Sequence, residues 1–352
     1  MLRVVQWATG GVGKAAIEAV QRHPELELVG CYVHSDGKSG KDVGDIIGTD
    51  PVGVAASGSI EEILALDADA VVYAPLLPNP EEVARILRAG KNVVTPVGWF
   101  YPSERDAGLA QACLDGGVTL HGIGINPGGT TELHPLVFSA MTSAVTYVRA
   151  EEFSDIRTYD APDVLRWVMG FGGTPDEARN SPMLGLLSGG FTQSVQMCLD
   201  TLGFADAKIL TSHEIAVATA PIESPMGVIK VGNVAAQRFQ WDAMVGDSVV
   251  IRIAVNWLMG ERNLEPAWEF GPERERYEIE VKGDPDTFVI IRGWQPTTVA
   301  AGLERNPGIV ATANHCVNSI PYVCAAEPGI KTCLDLPVVA GRAHPDLAAA
   351  PG

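Results

Sequence analysis

An apolar run, Leu2 to Val5, passes through Gln6 and Trp7 into the turn Ala8-Thr9-Gly10-Gly11-Val12-Gly13, after which Ala15, Ala16, Ile17, Ala19 and Val20 recur at helical spacing. Strand, glycine turn and helix in that order predict the first unit of a parallel sheet. The turn reads as a dinucleotide-binding fingerprint, Ala8-x-Gly10-x-x-Gly13, with alanine where the first glycine usually stands. Gly10 is expected to let backbone approach a pyrophosphate and Gly13 to let the helix pack on the strand. Ala8, Thr9, Gly10, Gly11, Val12 and Gly13 together are expected to bind the cofactor at the positive end of the helix. Three glycines also make ordinary strand-to-helix turns. A second apolar strand, Leu26 to Val33, at the spacing of a mononucleotide-binding half favours the dinucleotide.

Short apolar strands alternate with amphipathic segments as far as Gly124: Ala70 to Tyr73, Asn92 to Val94 and Thr119 to Gly122, with helices near Ser59, Glu81 and Ser103. After Asn126-Pro127-Gly128-Gly129 the pattern changes. A helix from about Thr131, a strand from Tyr147 to Phe153 and helical stretches near Ala161 and Leu184 precede β-rich segments at Ile209–Val217, Val228–Val231, Val249–Val255, Tyr277–Val281 and Phe288–Ile291. The fold class expected is α/β: an N-terminal doubly wound Rossmann sheet, then an α+β domain with a mainly antiparallel sheet. The boundaries expected are 1–128 for the dinucleotide domain and 129–305 for a substrate-binding and dimerisation domain. Residues 306–341 are expected to return to the first domain through a helix from Gly308 to Ala326, and 342–352 to form a frayed tail.

The chain of 352 residues is 46% hydrophobic and carries a formal charge of -18, with no basic stripe along any predicted helix. Nucleic acid is therefore not an expected partner. The six cysteines form no C-x-x-C pair and fall mostly in apolar runs, as free thiols in a reducing cytoplasm do. No leader-like segment and no membrane-length apolar run is read. Glu151, Glu152 and Asp155 lack a histidine at ligand spacing and read as a strand end and solvated loop, so no metal is expected.

The second strand ends Tyr32-Val33-His34-Ser35-Asp36 and continues to Lys38 and Lys41. His34, Ser35, Lys38 and Lys41 suit a 2′-phosphate and favour NADP; Asp36, as a ribose ligand, keeps NAD as the alternative. Ala74 and Pro75, after the Ala70–Tyr73 strand, are expected along the cofactor. Asn126 could place an amide beside nicotinamide or substrate, or stand in a plain interdomain turn. Glu104 follows Trp99, Phe100 and Tyr101, whose rings are expected to hold its carboxylate partly desolvated for proton transfer; spacing alone favours an ordinary first-turn helix acid. Phe138, Met141, Trp167, Phe171 and Met197 are candidates for an apolar substrate pocket, though each alone reads more readily as core. Arg149, Arg157 or Arg166 could anchor a substrate carboxylate.

Several motifs in order carry a resemblance over nearly the whole chain: Gln6 to Gly13, Lys38-x-Gly40-Lys41-Asp42-Val43-Gly44, Pro102-Ser103-Glu104, Gly124-Ile125-Asn126-Pro127-Gly128 with Thr131-Glu132-Leu133, and Val317-Asn318-Ser319-Ile320-Pro321 with Asp335-Leu336-Pro337. The set resembles the native NAD(P)H-dependent amine dehydrogenases related to 2,4-diaminopentanoate dehydrogenase, often described as dihydrodipicolinate reductase-like. The resemblance implies reductive amination of small ketones or aldehydes with ammonia, the reverse oxidative deamination, a homodimer, and Glu104 as the residue that handles the amine. Asn318 joins the cofactor-binding candidates through the motif that contains it. The chain departs from true dihydrodipicolinate reductases: it has no His-His pair, and Asp160-Ala161-Pro162-Asp163 lacks a Ser-Gly-Thr continuation. A diamine or amino-acid dehydrogenase of the 2,4-diaminopentanoate type and a non-catalytic NADP-binding sensor stand as alternatives.

Overall fold

The computed structural model describes residues 1–181 and 183–347. The chain divides into two compact units, Met1–Gly128 with Ile309–Gly352, and Gly129–Gly308.

The first unit alternates β1 (Leu2–Trp7), α1 (Gly11–Arg22), β2 (Leu26–Tyr32), α2 (Val43–Ile47), β3 (Ala56–Ser57), α3 (Ile60–Ala65), β4 (Ala70–Tyr73), α4 (Pro80–Arg88), β5 (Asn92–Thr95), α5 (Ala107–Gly116) and β6 (Thr119–Gly122). All its strands pair in parallel, with β3, β2, β1, β4, β5 and β6 in that spatial order and the strand Gly329–Lys331 beyond β6. The order reverses between β1 and β4, and the carboxyl ends there are where such sheets take ligands.

Local chemistry explains the helices. At α4, Asn79 Oδ1 accepts from the Glu81 and Glu82 amides, Pro80 sits in the first turn, and Arg85 and Arg88 lie in the last, so caps and dipole agree. Its Val83, Ile86 and Leu87 are buried at helical spacing. The expected late helix is present as Pro307–Cys324 and is buried through Ala313, Cys316, Val317, Ile320 and Val323 against Val4, Ala16, Ile17 and Val20.

The second unit runs α6 (Leu133–Ser139), β7 (Ser143–Asp155), α7 (Pro175–Arg179), α8 (Met183–Leu202), β8 (Lys208–Ala218), β9 (Ile222–Ser224), β10 (Gly227–Ile229), β11 (Val234–Val245), β12 (Ser248–Leu258), β13 (Leu264–Glu265), β14 (Arg276–Asp284), β15 (Thr287–Ile291) and α9 (Val299–Glu304). Its sheet, ordered β13-β8-β11-β12-β7-β14-β15, is antiparallel except for the parallel β12–β7 pair, so the mainly antiparallel expectation holds. The expected strand at Val228–Val231 is the second arm of the separate β9–β10 hairpin. The helical stretch read near Ala161 is a short π-type turn, Val164–Val168.

One sheet face of the second unit is built from paired charges. Arg149 donates to Glu151, Glu278 and Glu280, Arg276 donates to Glu278, and Arg252 donates to Asp242. Glu152 and Asp155 are both buried, Glu152 accepting from Trp257 Nε1 at 3.0 Å and Asp155 from Arg157. Asp155 does end β7, as read, but the solvated part of the reading of Glu151, Glu152 and Asp155 is corrected: Trp257 on β12 holds Glu152 across the strands, Asn256 donates to Glu151, and Arg157, two residues on, holds Asp155. Among the described residues no group of three or more metal-ligating side chains converges.

Candidate functional site

At the end of β1, Ala8 takes a left-handed conformation, φ 73°, the backbone the first glycine of such a turn normally supplies. Its amide donates to Tyr32 O at 2.9 Å, tying the turn to β2. A Cβ on Gly13 would lie 2.2 Å from Ala8 O, so the start of α1 touches the turn as closely as only glycine allows. Gly10 is the opposite case, with nothing within 4 Å of the same position. α1 follows Gly10, its N-cap residue, without a side-chain cap and without an acid in its first turn, and its first helical bond runs from Lys14 N–H to Gly10 O at 2.9 Å. The amides of Gly11, Val12 and Gly13 thus precede the helical ladder, at a positive helix end open to an anion.

The residues expected around the turn gather there in part. Lys38 Nζ donates to Thr9 Oγ1 at 3.0 Å, which brings one of the two lysines onto the turn itself. His34 lies edge-on to Tyr32, ring centroids 4.9 Å apart, and His34, Ser35 and Lys41 are all exposed beyond β2. Ala74 N–H donates to Trp7 O at 3.1 Å, placing the Ala74-Pro75 step beside the end of β1 at the reversal of strand order. Asn126 stands before a cis proline in a loop folded so tightly that a Cβ on Gly128 would meet Gly124 N at 2.0 Å. His315 Nδ1 donates to Gly124 O at 2.7 Å from the late helix; burial lowers the His315 pKa, against the raising effect of this bond. Asn318 is placed differently. Ile309 is the residue of that helix beside Gly11, whereas Asn318 lies beside Gly341, about 13 Å farther along at 1.5 Å per residue.

Glu104 opens a 3-10 turn, Glu104–Asp106, between β5 and α5. Ser103 and Asp106 form the capping box, so Asp106 does the first-turn work and the exposed Glu104 carboxylate is not spent on the cap. The aromatic shield expected over it is corrected. Trp99, at φ 58°, and Phe100 turn inward to 7% and 3% exposure, with Trp99 in a cluster with Trp7, Tyr73 and Leu109. The cause is the backbone beneath them: a Cβ on Gly122 would lie 2.2 Å from Gly98 O, so the loop is pressed onto the end of β6.

In the second unit, the pocket candidates separate. Phe171 and Met197 are buried in its core, Met141 and Trp167 are exposed at 60% and 71%, and Phe138 is half-buried. Arg149 and Arg157 are engaged by acids, and Arg166 donates to Met226 O, so the carboxylate anchors proposed from sequence have internal work. Near the start of α6, Glu132 is buried and accepts from the Thr131 hydroxyl.

Sequence reasoning missed Gln6. Buried at 1% exposure, its Nε2 donates to Ala8 O at 2.9 Å and Trp7 O at 3.1 Å. The available signal was a polar residue between apolar Val4, Val5 and Trp7, immediately before the turn.

A family model described as the 2,4-diaminopentanoate dehydrogenase C-terminal domain matches residues 133–346, and one described as dihydrodipicolinate reductase, N-terminus, matches residues 4–93. An amine dehydrogenase of Streptomyces virginiae is 31% identical over 356 residues, covering 96% of this chain and 97% of its own. The 2,4-diaminopentanoate dehydrogenase of Acetoanaerobium sticklandii is 30% identical over 245 residues, 68% of this chain and 64% of its own. The solved amine dehydrogenase from Mycobacterium smegmatis shares the fold at a TM-score of 0.77, with 22% identity and 97% of each chain covered.

Proposed function

The chain belongs to the family of amine dehydrogenases related to 2,4-diaminopentanoate dehydrogenase, and on that premise we propose that it aminates small ketones or aldehydes with ammonia at the expense of NADPH and deaminates the corresponding amines in reverse. The observation that carries the reading is the glycine turn, tight at Gly13 and open at Gly10, before an uncapped helix start. Those features suit a pyrophosphate held by the Gly11, Val12 and Gly13 amides. Lys38, already on the turn through Thr9, and the exposed Ser35 and Lys41 suit a 2′-phosphate and support NADP over NAD.

The cofactor, when bound, supplies two-electron exchange with the carbon that bears nitrogen. Glu104 supplies the proton chemistry: its carboxylate takes a proton from ammonium, returns one as water leaves the carbinolamine, and faces the cationic nitrogen that follows. Its exposure and its freedom from the helix cap leave both oxygens for that work. The engagement of Arg149 and Arg157 by acids supports carbonyl substrates without a carboxylate over amino acids. No helix among the described residues is long and apolar enough to cross a membrane, and the protein is proposed to work as a cytoplasmic homodimer.

The test is NADPH oxidation across a panel of small ketones and aldehydes with and without ammonium. Consumption that requires ammonium supports amine formation. Carbonyl reduction of equal rate without it, or no turnover with any amine, would overturn the reading.

A further inference from the structure

Ala8 holds a left-handed backbone that an L side chain adopts at a disadvantage to glycine. Something must hold it there. The Gln6 carboxamide spends its Nε2 on the two carbonyls that bracket this residue, Trp7 O and Ala8 O, while its Oε1 is buried without a hydrogen-bond partner. An apolar side chain would fill the same space without burying an unpaired acceptor, so the amide is explained by what its nitrogen does rather than by packing.

We propose that Gln6 is a positioning residue for the dinucleotide turn, clamping Ala8 in the conformation a glycine would take unaided. A trans peptide points its C=O and N–H in opposite directions. Holding Ala8 O toward Gln6 and against Gly13 therefore points the Thr9 N–H, in the same plane, in the opposite direction, away from the Gln6 amide. The clamp fixes the turn before any ligand arrives, and affinity rises because less ordering remains to be done on binding. The link to the cofactor rests on the proposed dehydrogenase function; the clamp itself does not.

The experiment is a double-mutant cycle on the full chain with Gln6→Met, which keeps length and loses the donors, and Ala8→Gly, which removes the need for them. NADPH affinity is read by fluorescence titration, and the urea midpoint is read without cofactor. With two hydrogen bonds of ordinary net strength at stake, Gln6→Met should weaken NADPH binding about tenfold. Gln6→Glu, which offers acceptors to two carbonyls, should weaken it more. Ala8→Gly alone should bind within about threefold of the parent, and in that background the loss from Gln6→Met should shrink to about threefold or less, with the urea midpoints equally non-additive. Undiminished binding by Gln6→Met, or the same loss in both backgrounds, would overturn the clamp. If Gln6→Met fails to fold, recovery of folding by added Ala8→Gly supports it and continued failure rejects it. A parent protein that binds neither NADPH nor NADH would defeat the proposed function, and the urea cycle would still decide the role of Gln6.

Discussion

Gly13 and Gly10 lie three residues apart, and the same methyl group added to each should have different consequences. A Cβ on Gly13 would sit 2.2 Å from Ala8 O, where ordinary contact begins at 3.4 Å, so strand end and helix start would have to part by 1.2 Å. Neither side yields easily. Ala8 O is held by Gln6, and α1 is anchored through buried Ala16, Ile17 and Val20. Overpacking of this kind costs about 1–3 kcal/mol, and an obstacle made of backbone belongs near the top of that range. For a unit of this size, about 2–3 kcal/mol lowers the Tm by roughly 5–10 °C. Gly10, at φ −74° with nothing within 4 Å, accepts alanine without strain, so Gly10→Ala should melt within about 2 °C of the parent. Its methyl instead fills the approach to the helix start and should weaken NADPH binding tenfold or more, by about 1.4 kcal/mol. Calorimetric melting with fluorescence titration separates the two effects. A Gly10→Ala protein that binds NADPH like the parent, or a Gly13→Ala protein that melts like it, refutes the assignment of the turn.

Glu104→Gln should lower ammonia-dependent turnover by roughly 10²–10⁴-fold while the NADPH Kd stays within about twofold, as loss of a proton-transfer group requires; retained turnover in stopped-flow or steady-state assays removes it from the chemistry. Lys38→Ala combined with Lys41→Ala should raise the KM for NADPH by about tenfold or more and that for NADH by less than about threefold, and equal effects would refute the NADP assignment. Glu275 carries the pH prediction. Burial first, and the nearby Asp155 charge, lift its pKa to about 7, although its carboxylate accepts the Asp155 N–H at 2.7 Å. The folded state then keeps a proton that the unfolded chain releases near its ordinary 4.5, so the stability this group contributes is complete below about 4.5 and is lost as pH rises through 7. Glu275→Gln should remove that loss and raise the Tm at pH 8 but not at pH 4, and melting curves that shift alike at both pH values would sink the attribution.

The parallel sheet and its turn were legible because their signals are local. β1 to α1 changes from an apolar run to helical spacing within a dozen residues, and Asn79-Pro80-Glu81 writes the start of α4 into consecutive letters. β11 is absent from the strands expected above although Arg238, Gln240 and Asp242 alternate with Phe239, Trp241 and Ala243 at the period of a half-buried strand; what no local window contains is the set of partners of its polar face, Arg252 and Asn256, which come later in the chain. The same distance hid the burial of Glu152, whose partner Trp257 lies 105 positions on. Arg149 meets Glu278 across 129 positions, and no window of sequence contains both. At the candidate site, the surroundings of Glu104 were not readable: only the packing of the loop onto Gly122 shows Trp99 and Phe100 facing inward.

The first unit is sewn from both ends of the chain. Helix Pro307–Cys324 covers Ala16 and Ile17, and strand Gly329–Lys331 extends the sheet past β6, so β1 and α1 are made early yet wait for some three hundred further residues to be enclosed. During synthesis the second unit can mature while the nucleotide fold is still missing a wall, which makes the interval before Ile309 emerges the period of greatest exposure to aggregation and proteolysis. Shortening the chain from its far end is therefore a lesion of the opening glycine turn, delivered from the opposite terminus.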